Sequence, residues 1–236
     1  MCEVKNSKIY PNSHVYLLNN QCLTCVDSIR DLGVTVDNKL KFDKHINLMS
    51  RKALLRCHLI LKCFHSRDRC LLVKAYCTYV RPLLEYGCVV WSPHYQYLID
   101  RIEGVQRFFT KRLGGLYTYV PYCTRLTILQ LESLKYRRLV NDLVLCYKMQ
   151  HRLINTELCS ALHQSVCTTT RGHPLKLQKI SCSIDATKYF FTNRLHDSWN
   201  SLPASVVTSE TLHLFKQRLY STNLNAYLHY PCFHFI

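Results

Sequence analysis

Fourteen cysteines and twelve histidines in 236 residues supply the side chains from which metal sites and nucleophilic centres are built. Cys22-Leu23-Thr24-Cys25 has the spacing of half a zinc knuckle. Structural zinc needs four closed ligands, and no second pair of that spacing occurs. Cys159, His163 and Cys167 recur every four residues, which would stack them along one helix face. His151, His173 or Cys182 would then complete a tetrahedral set. The same spacing describes a buried cysteine stripe carrying one satisfied histidine. Cysteine in a reducing compartment behaves as a small hydrophobe, so this second reading is adopted and no metal or other cofactor is expected. Cys57 beside His58 could be drawn as nucleophile and base. With so many of both types such neighbours arise by chance, and no third orienting group recurs at a useful spacing. Six scattered glycines build no phosphate loop.

The charge is more telling than any nucleophile. Lys and Arg number 31 against 15 Asp and Glu, a net charge of +16 with histidines neutral. Such a field selects a polyanion as partner, with nucleic acid foremost. Between residues 42 and 115 there are 13 basic and 5 acidic residues, so half of the excess falls in this third of the chain. Arg51, Arg56, Lys62, Arg107, Lys111 and Arg112 are the expected phosphate contacts; Phe108 is a candidate for base stacking, with packing beneath the next helix the favoured alternative. Lys135, Arg137 and Arg138 fall near a helix N-terminus, where the macrodipole disfavours cations. A bound phosphate would compensate, as would pairing with acids elsewhere.

The elements that must position these side chains follow from periodicity. Residues 1–41 read as β: His14 to Leu18 and Gln21 to Val26 flank Asn19-Asn20, a pair suited to a tight hairpin, and Leu32 to Val36 gives a third strand. Three short strands are marginal alone, and a chain that opens in mid-sheet suggests truncation. From Asp43, read as an N-cap, the period becomes helical. Ile46, Met49, Ala53, Cys57, Ile60, Leu61 and Phe64 share one face, and Lys44, Arg51, Lys52, Arg56 and Lys62 lie opposite. Ser66 is read as the cap of a second helix to about Val80, Pro82 restarts it, and Ser92-Pro93 opens a third to Leu113, ending at Gly114-Gly115. On that helix Leu98, Ile102, Val105, Phe109 and Leu113 form the inward stripe. Helices are expected at about Arg125 to Leu131, Ser133 to Met149 and Ser209 to Tyr220. A polar loop is placed at Thr168 to Arg171, and the tail from Asn223 is left unassigned. The run from Arg81 to Pro93 organises the rest, with Trp91 and Tyr86 as its buried anchors.

The fold class is thus mainly α with a small N-terminal antiparallel β piece (α+β). The expected units are 1–41, a basic helical bundle at 42–115 and a mostly helical domain at 116–236. No apolar run reads as a signal peptide or a membrane span, which places the chain in the cytoplasm or nucleus, not secreted.

The runs quoted so far include several that resemble, in order, the C-terminal part of reverse transcriptases from non-long-terminal-repeat (LINE-type) retrotransposons, especially jockey-like and chicken-repeat-like elements. They are Asp31-Leu32-Gly33-Val34, Lys39-Leu40-Lys41-Phe42 and His45-Ile46; Arg81-Pro82-Leu83-Leu84-Glu85-Tyr86 and Val90-Trp91-Ser92-Pro93; and Ile102-Glu103-Gly104-Val105-Gln106-Arg107. Arg125-Leu126, Leu134-Lys135-Tyr136-Arg137-Arg138, Asp142-Leu143, Tyr147-Lys148, Arg171-Gly172-His173, Trp199-Asn200-Ser201-Leu202-Pro203 and Phe215-Lys216 continue the series. The resemblance implies an exit from the palm near Asp31, then a thumb, with fingers and catalytic palm upstream. It implies RNA or an RNA/DNA hybrid as ligand, and the missing palm and fingers as a protein partner. Two-metal nucleotidyl transfer needs clustered carboxylates, with the ions about 3.5–4 Å apart. Nine aspartates are present and no two are adjacent. Asp27, Asp31 and Asp37 sit where turns and caps are expected. No polymerase activity is expected of this chain. The alternative is a helical interaction module that packs on the palm and has no biochemical activity of its own.

Overall fold

The computed structural model of the protein describes residues 17–19, 21–114, 119–155, 159, 162, 172–224 and 228. Four short strands come first: β1 (Leu17–Leu18), β2 (Gln21–Cys22), β3 (Ser28–Asp31) and β4 (Val34–Asp37). They pair as two separate antiparallel hairpins. Asn19 adopts φ 51° in the first turn, as the Asn-Asn pair suggested; His14 to Tyr16 of that expected strand lie outside the described residues. The expected strand from Leu32 to Val36 is corrected. Leu32 and Gly33 take φ 43° and 86°, the signature of a two-residue hairpin turn whose twist matches its strands. Glycine supplies the left-handed conformation, so the run is cut into a turn and β4, with Asp31 opposite Val34.

The helices are α1 (Asp43–Cys63), α2 (Arg69–Tyr79), α3 (Arg81–Glu85), α4 (Cys88–Trp91), α5 (Gln96–Lys111), α6 (Tyr122–Ile128), α7 (Leu134–Gln150), α8 (Asp185–Lys188), α9 (Phe191–Asn200), α10 (Ala204–Val207) and α11 (Leu212–Ser221). This is a mainly helical protein with a small β piece, as expected. Several starts differ from the sequence reading: α5 begins at Gln96 rather than at Ser92-Pro93, and α6 at Tyr122 rather than near Arg125. Asp43 is the first helical residue rather than the cap. No side chain caps α1; Asp37 instead folds the turn ahead of it, accepting the N–H groups of Lys39, Lys41 and Phe42 at 3.0, 3.2 and 2.7 Å. For α2 the cap is Asp68, which accepts from Cys70 and Leu71, while Ser66 accepts from Asp68 itself. Ser133 and Thr211 cap α7 and α11 through their hydroxyls.

Buried side chains gather in two clusters. The first runs from Val34 through α1, α2, α3, α4 and α5 to Leu134 and includes the whole expected inward stripe of α5. The second runs from Val140 to Leu224 around Tyr147, Trp199 and Phe215. The cores therefore divide within α7, between Leu134 and Val140, rather than at residue 115, and β4 contributes Val34 to the same core as the helices. The reason is that α6 packs back on α5 and brings Leu126, Leu129 and Leu131 with it.

The run from Arg81 to Pro93 is split by Gly87, whose φ of 63° lets α4 leave α3 sharply. Trp91 is fully buried and its Nε1 donates to the Tyr86 carbonyl at 2.7 Å. Tyr86 is not a core anchor: it is 60% exposed. Its hydroxyl donates to the Leu32 carbonyl at 2.9 Å, latching the hairpin tip to the helices. The cysteines sort by burial. Cys57, Cys88 and Cys146 are buried, and Cys63 and Cys70 are exposed at the end of α1 and the start of α2. Burial pushes the Cys57 thiol up to about 12 and raises those of Cys88 and Cys146 as well.

Three histidines are buried enough to favour the neutral ring. His45 Nδ1 accepts the Thr35 N–H at 3.3 Å. His173 Nε2 lies 3.0 Å from the Trp199 carbonyl, a bond that by itself favours protonation and is outweighed by burial. His94 stacks on Tyr189 with centroids 3.8 Å apart. Desolvation lowers the pKa of all three. A base whose folded pKa lies below its unfolded value of about 6.5 adds stability that is fully present above that value and is lost as the pH falls through it. The melting temperature should therefore drop between pH 7.5 and pH 5.5, and drop less in His173→Gln; equal stability at both pH values contradicts this account. Trp91→Ala should cost about 3–5 kcal/mol in urea unfolding, from lost burial and a cavity, whereas Tyr86→Phe, losing only a solvent-facing bond, should cost less than about 1.5 kcal/mol.

Candidate nucleic-acid interface

The basic residues of α1 and α5 form one surface because the two helices lie side by side. The Tyr97 hydroxyl at the start of α5 reaches Asp43 at the start of α1, and His58 packs on Phe108 further along, with ring centroids 4.6 Å apart. The helices therefore run parallel. At 100° per residue, Arg51, Leu55, His58 and Lys62 fall within an arc of about 60° on α1, and Arg101, Phe108, Lys111 and Arg112 within about 100° on α5. The His58–Phe108 contact joins the two arcs. Arg51, Lys62, Arg101, Lys111 and Arg112 are all exposed.

Phe108 is half-buried in this seam. The Arg112 guanidinium lies 3.5 Å from its ring centroid and donates to its carbonyl at 3.0 Å. The ring thus meets a tilted imidazole and carries a guanidinium on its face, a cation–π contact. Arg107 stands to one side, 3.5 Å from Asp100 and 5.2 Å from the Tyr122 ring centroid. Arg56 points the other way round α1 and donates to the Tyr79 carbonyl at 3.0 Å, so it closes the end of α2 rather than joining the seam. The outer face of α1 is also less polar than its charges suggested, since Leu48, Leu55 and Leu59 are exposed on it. His58 and Arg101 belong to the surface although sequence reasoning passed over them; Arg101 lies seven residues before Phe108, the spacing that places both on one face.

The second basic group does not form a free surface. Arg137 is clamped by Glu85, whose two oxygens accept from Nε and Nη2 along one guanidinium edge, and by Glu132, which accepts from Nη1 at 2.8 Å. These bonds, Glu85 foremost, raise its pKa. Arg138 turns inward and is 3% exposed, and burial lowers its pKa. Of the two compensations open for cations at this helix start, pairing with acids serves Arg137. Neither arginine is placed for contact with a duplex, and Lys135 is half-buried beside them. Beneath them runs a buried chain of bonds. Tyr76 donates to Gln106, Gln106 to Tyr122, and Tyr122 to Glu103, which also accepts the first N–H of α7 at 3.2 Å.

Among the described residues no group of three or more His, Cys, Asp and Glu side chains is arranged to hold a metal ion. Cys22 and Cys25 are exposed and free, and of the Cys159, His163, Cys167 set the last two lie outside the described residues. No helix among the described residues is long and apolar enough to cross a membrane.

Gly104 sits on the exposed side of α5 between Arg101 and Phe108, and a Cβ built there meets nothing within 4 Å. The packing of the protein does not require a glycine at this point, yet glycine costs about 0.5–1 kcal/mol relative to alanine in a helix. Gly104→Ala should therefore raise the unfolding free energy by about 0.5–1 kcal/mol; a destabilised variant would mean that something in the fold needs the missing side chain.

No protein-family model matches the chain, and no solved structure does. It is similar to an uncharacterized protein of Caenorhabditis elegans, 32% identical over 133 residues, a match that covers 56% of this chain and 65% of that relative, just under two thirds of its length.

Proposed function

We propose that this chain binds RNA or an RNA/DNA hybrid along the α1–α5 seam, as the thumb-like, non-catalytic C-terminal part of a reverse transcriptase of the LINE type. The observation that carries the reading is the continuity of the two cationic arcs across the His58–Phe108 contact. Five exposed cations along one seam can follow a phosphate backbone, and a half-open aromatic between them can take a base edge or a sugar. Such contacts position a duplex without reading its sequence. No carboxylate cluster stands in the seam, so no polymerase step is assigned to this chain, and a cytoplasmic or nuclear site of action follows from the ligand.

A second reading has its own observation. Leu17, Leu18, Leu23, Val26, Ile29 and Leu32 are exposed on the two hairpins, Leu32 at 82%. Apolar side chains gathered on short strands with open edges suit a protein partner, and the palm and fingers of the same polymerase are the occupant this reading names. The two readings concern different faces and are separable.

Fluorescence anisotropy with a 20-mer RNA and the matching RNA/DNA hybrid tests the first. Binding should be micromolar or tighter at 50 mM salt, with a slope of log K against log salt of about −4 for five neutralised phosphates. Replacing Arg51, Lys62 and Lys111 together by Gln should reduce that slope by about 2 to 3 units. Binding that is weaker than micromolar, or indifferent to salt, removes the nucleic-acid reading and leaves the hairpin face to account for the protein.

A further inference from the structure

Arg138 presents a physical problem that the seam does not solve. Its side chain is nearly all out of solvent, and Nη1 has no hydrogen-bond partner among the described residues. The acids nearest to it in electrostatic terms are Glu103 and Asp142. Asp142 gives its two carboxylate oxygens to Arg194, each at 2.9 Å. Glu103 gives Oε1 to Tyr122 and the Leu134 N–H, and its Oε2 is buried without a partner. A buried guanidinium left short of hydrogen bonds is costly.

Beside it lies a cavity of about 120 Å³ between α5, α7 and α9, closed on one side by the Ser92-Pro93 corner. Its polar lining is Ser92, Lys135, Arg138, Asp142 and Arg194. That set holds three cations and one carboxylate whose oxygens are already engaged by Arg194. Since one water takes about 30 Å³ of the liquid, the space would hold about four waters or a single tetrahedral oxyanion. We propose that this cavity is an anion site that takes a phosphoryl group, with Arg138 as its buried donor, Lys135 at the rim and the Ser92 hydroxyl as a further donor. The site is built by one face of α7, at positions i, i+3 and i+7, and owes nothing to the α1–α5 seam. It stands whether or not the seam binds nucleic acid.

The phosphoryl group could be free inorganic phosphate or the 5′-phosphate of a nucleic-acid end, and the full chain distinguishes them. In thermal melts at matched ionic strength, inorganic phosphate should raise the melting temperature in a saturable way while chloride does not. Arg138→Met should weaken the apparent phosphate affinity at least tenfold, yet melt no lower than the parent in phosphate-free buffer, because it removes an unsatisfied buried charge. Lys135→Gln, at the half-exposed rim, should weaken it at least threefold, and carries the test if Arg138→Met does not fold. Arg51→Gln with Lys62→Gln should leave the response intact, which separates this site from the seam. A 5′-phosphorylated oligonucleotide that binds at least fivefold tighter than its 5′-hydroxyl twin, with the gap lost in Lys135→Gln, assigns the site to a nucleic-acid end. Equal binding of the two, with the inorganic phosphate response present, assigns it to the free ion. Identical melting in phosphate and chloride, or an undiminished response in both cavity variants, overturns the proposal.

Discussion

The pairing of Asp142 with Arg194 is the contact on which the arrangement of the two cores depends. Arg194 reaches from α9 to both carboxylate oxygens on α7, and its Nη2 also donates to the Val89 carbonyl on α4 at 2.6 Å. Burial lifts the pKa of Asp142 while the two guanidinium bonds pull against it. Removing either partner leaves the other charged in a dry site, a loss of about 3–5 kcal/mol for buried pairs in general. One side chain thus fixes the C-terminal cluster to the same short helix that carries Trp91. Arg137 repeats the device nearby, joining α7 to Glu85 on α3. Between them, the two arginines hold α7 against the proline-rich run from both ends of its first three turns.

How the cations sort is the wider lesson of this structure. A net charge of +16 says that the chain is basic and nothing about which charges are free. Those on α1 and α5 remain on the surface, because the apolar stripe of each helix faces inward and leaves the opposite arc to solvent. Those at the start of α7 are drawn in, because this helix has apolar residues on most sides and lies between two cores. The difference is one of burial, and burial is decided by neighbours far away in the chain.

That is also the boundary of what could be read beforehand. The stripes of α1 and α5, the hairpin at Asn19, the start of α7 near Ser133 and the dominance of helix were legible because periodicity and local hydrogen bonding determine them. Tyr86 was misjudged because size alone suggested burial, whereas its place is set by the Leu32 carbonyl 54 residues away. The strand at Leu32 was misjudged because β-branched residues outvoted a glycine that needs a left-handed turn. In the candidate seam, Arg51, Lys62, Lys111 and Arg112 could be named from their spacing, and Arg101 could have been, but His58 could not, since only the parallel packing of two helices brings it into line. Arg56 and Arg137 were drawn off by partners that no spacing reveals, and Arg138 by burial between the two cores.

The sorting of cysteines by depth has a chemical consequence. Thiolates, not thiols, react with electrophiles, so Cys57, Cys88 and Cys146 are protected twice, by enclosure and by the raised cost of ionising. Cys63 and Cys70 are open to solvent at the junction of α1 and α2. Mild maleimide treatment should then act as a depth gauge, modifying the junction pair early together with Cys22 and Cys25 of the hairpins, and the enclosed thiols only as the helices part. With Cys22 and Cys25 replaced by Ser, a dye coupled at Cys63 would stand one residue past Lys62, at the end of the cationic seam, and would report on that end of the surface.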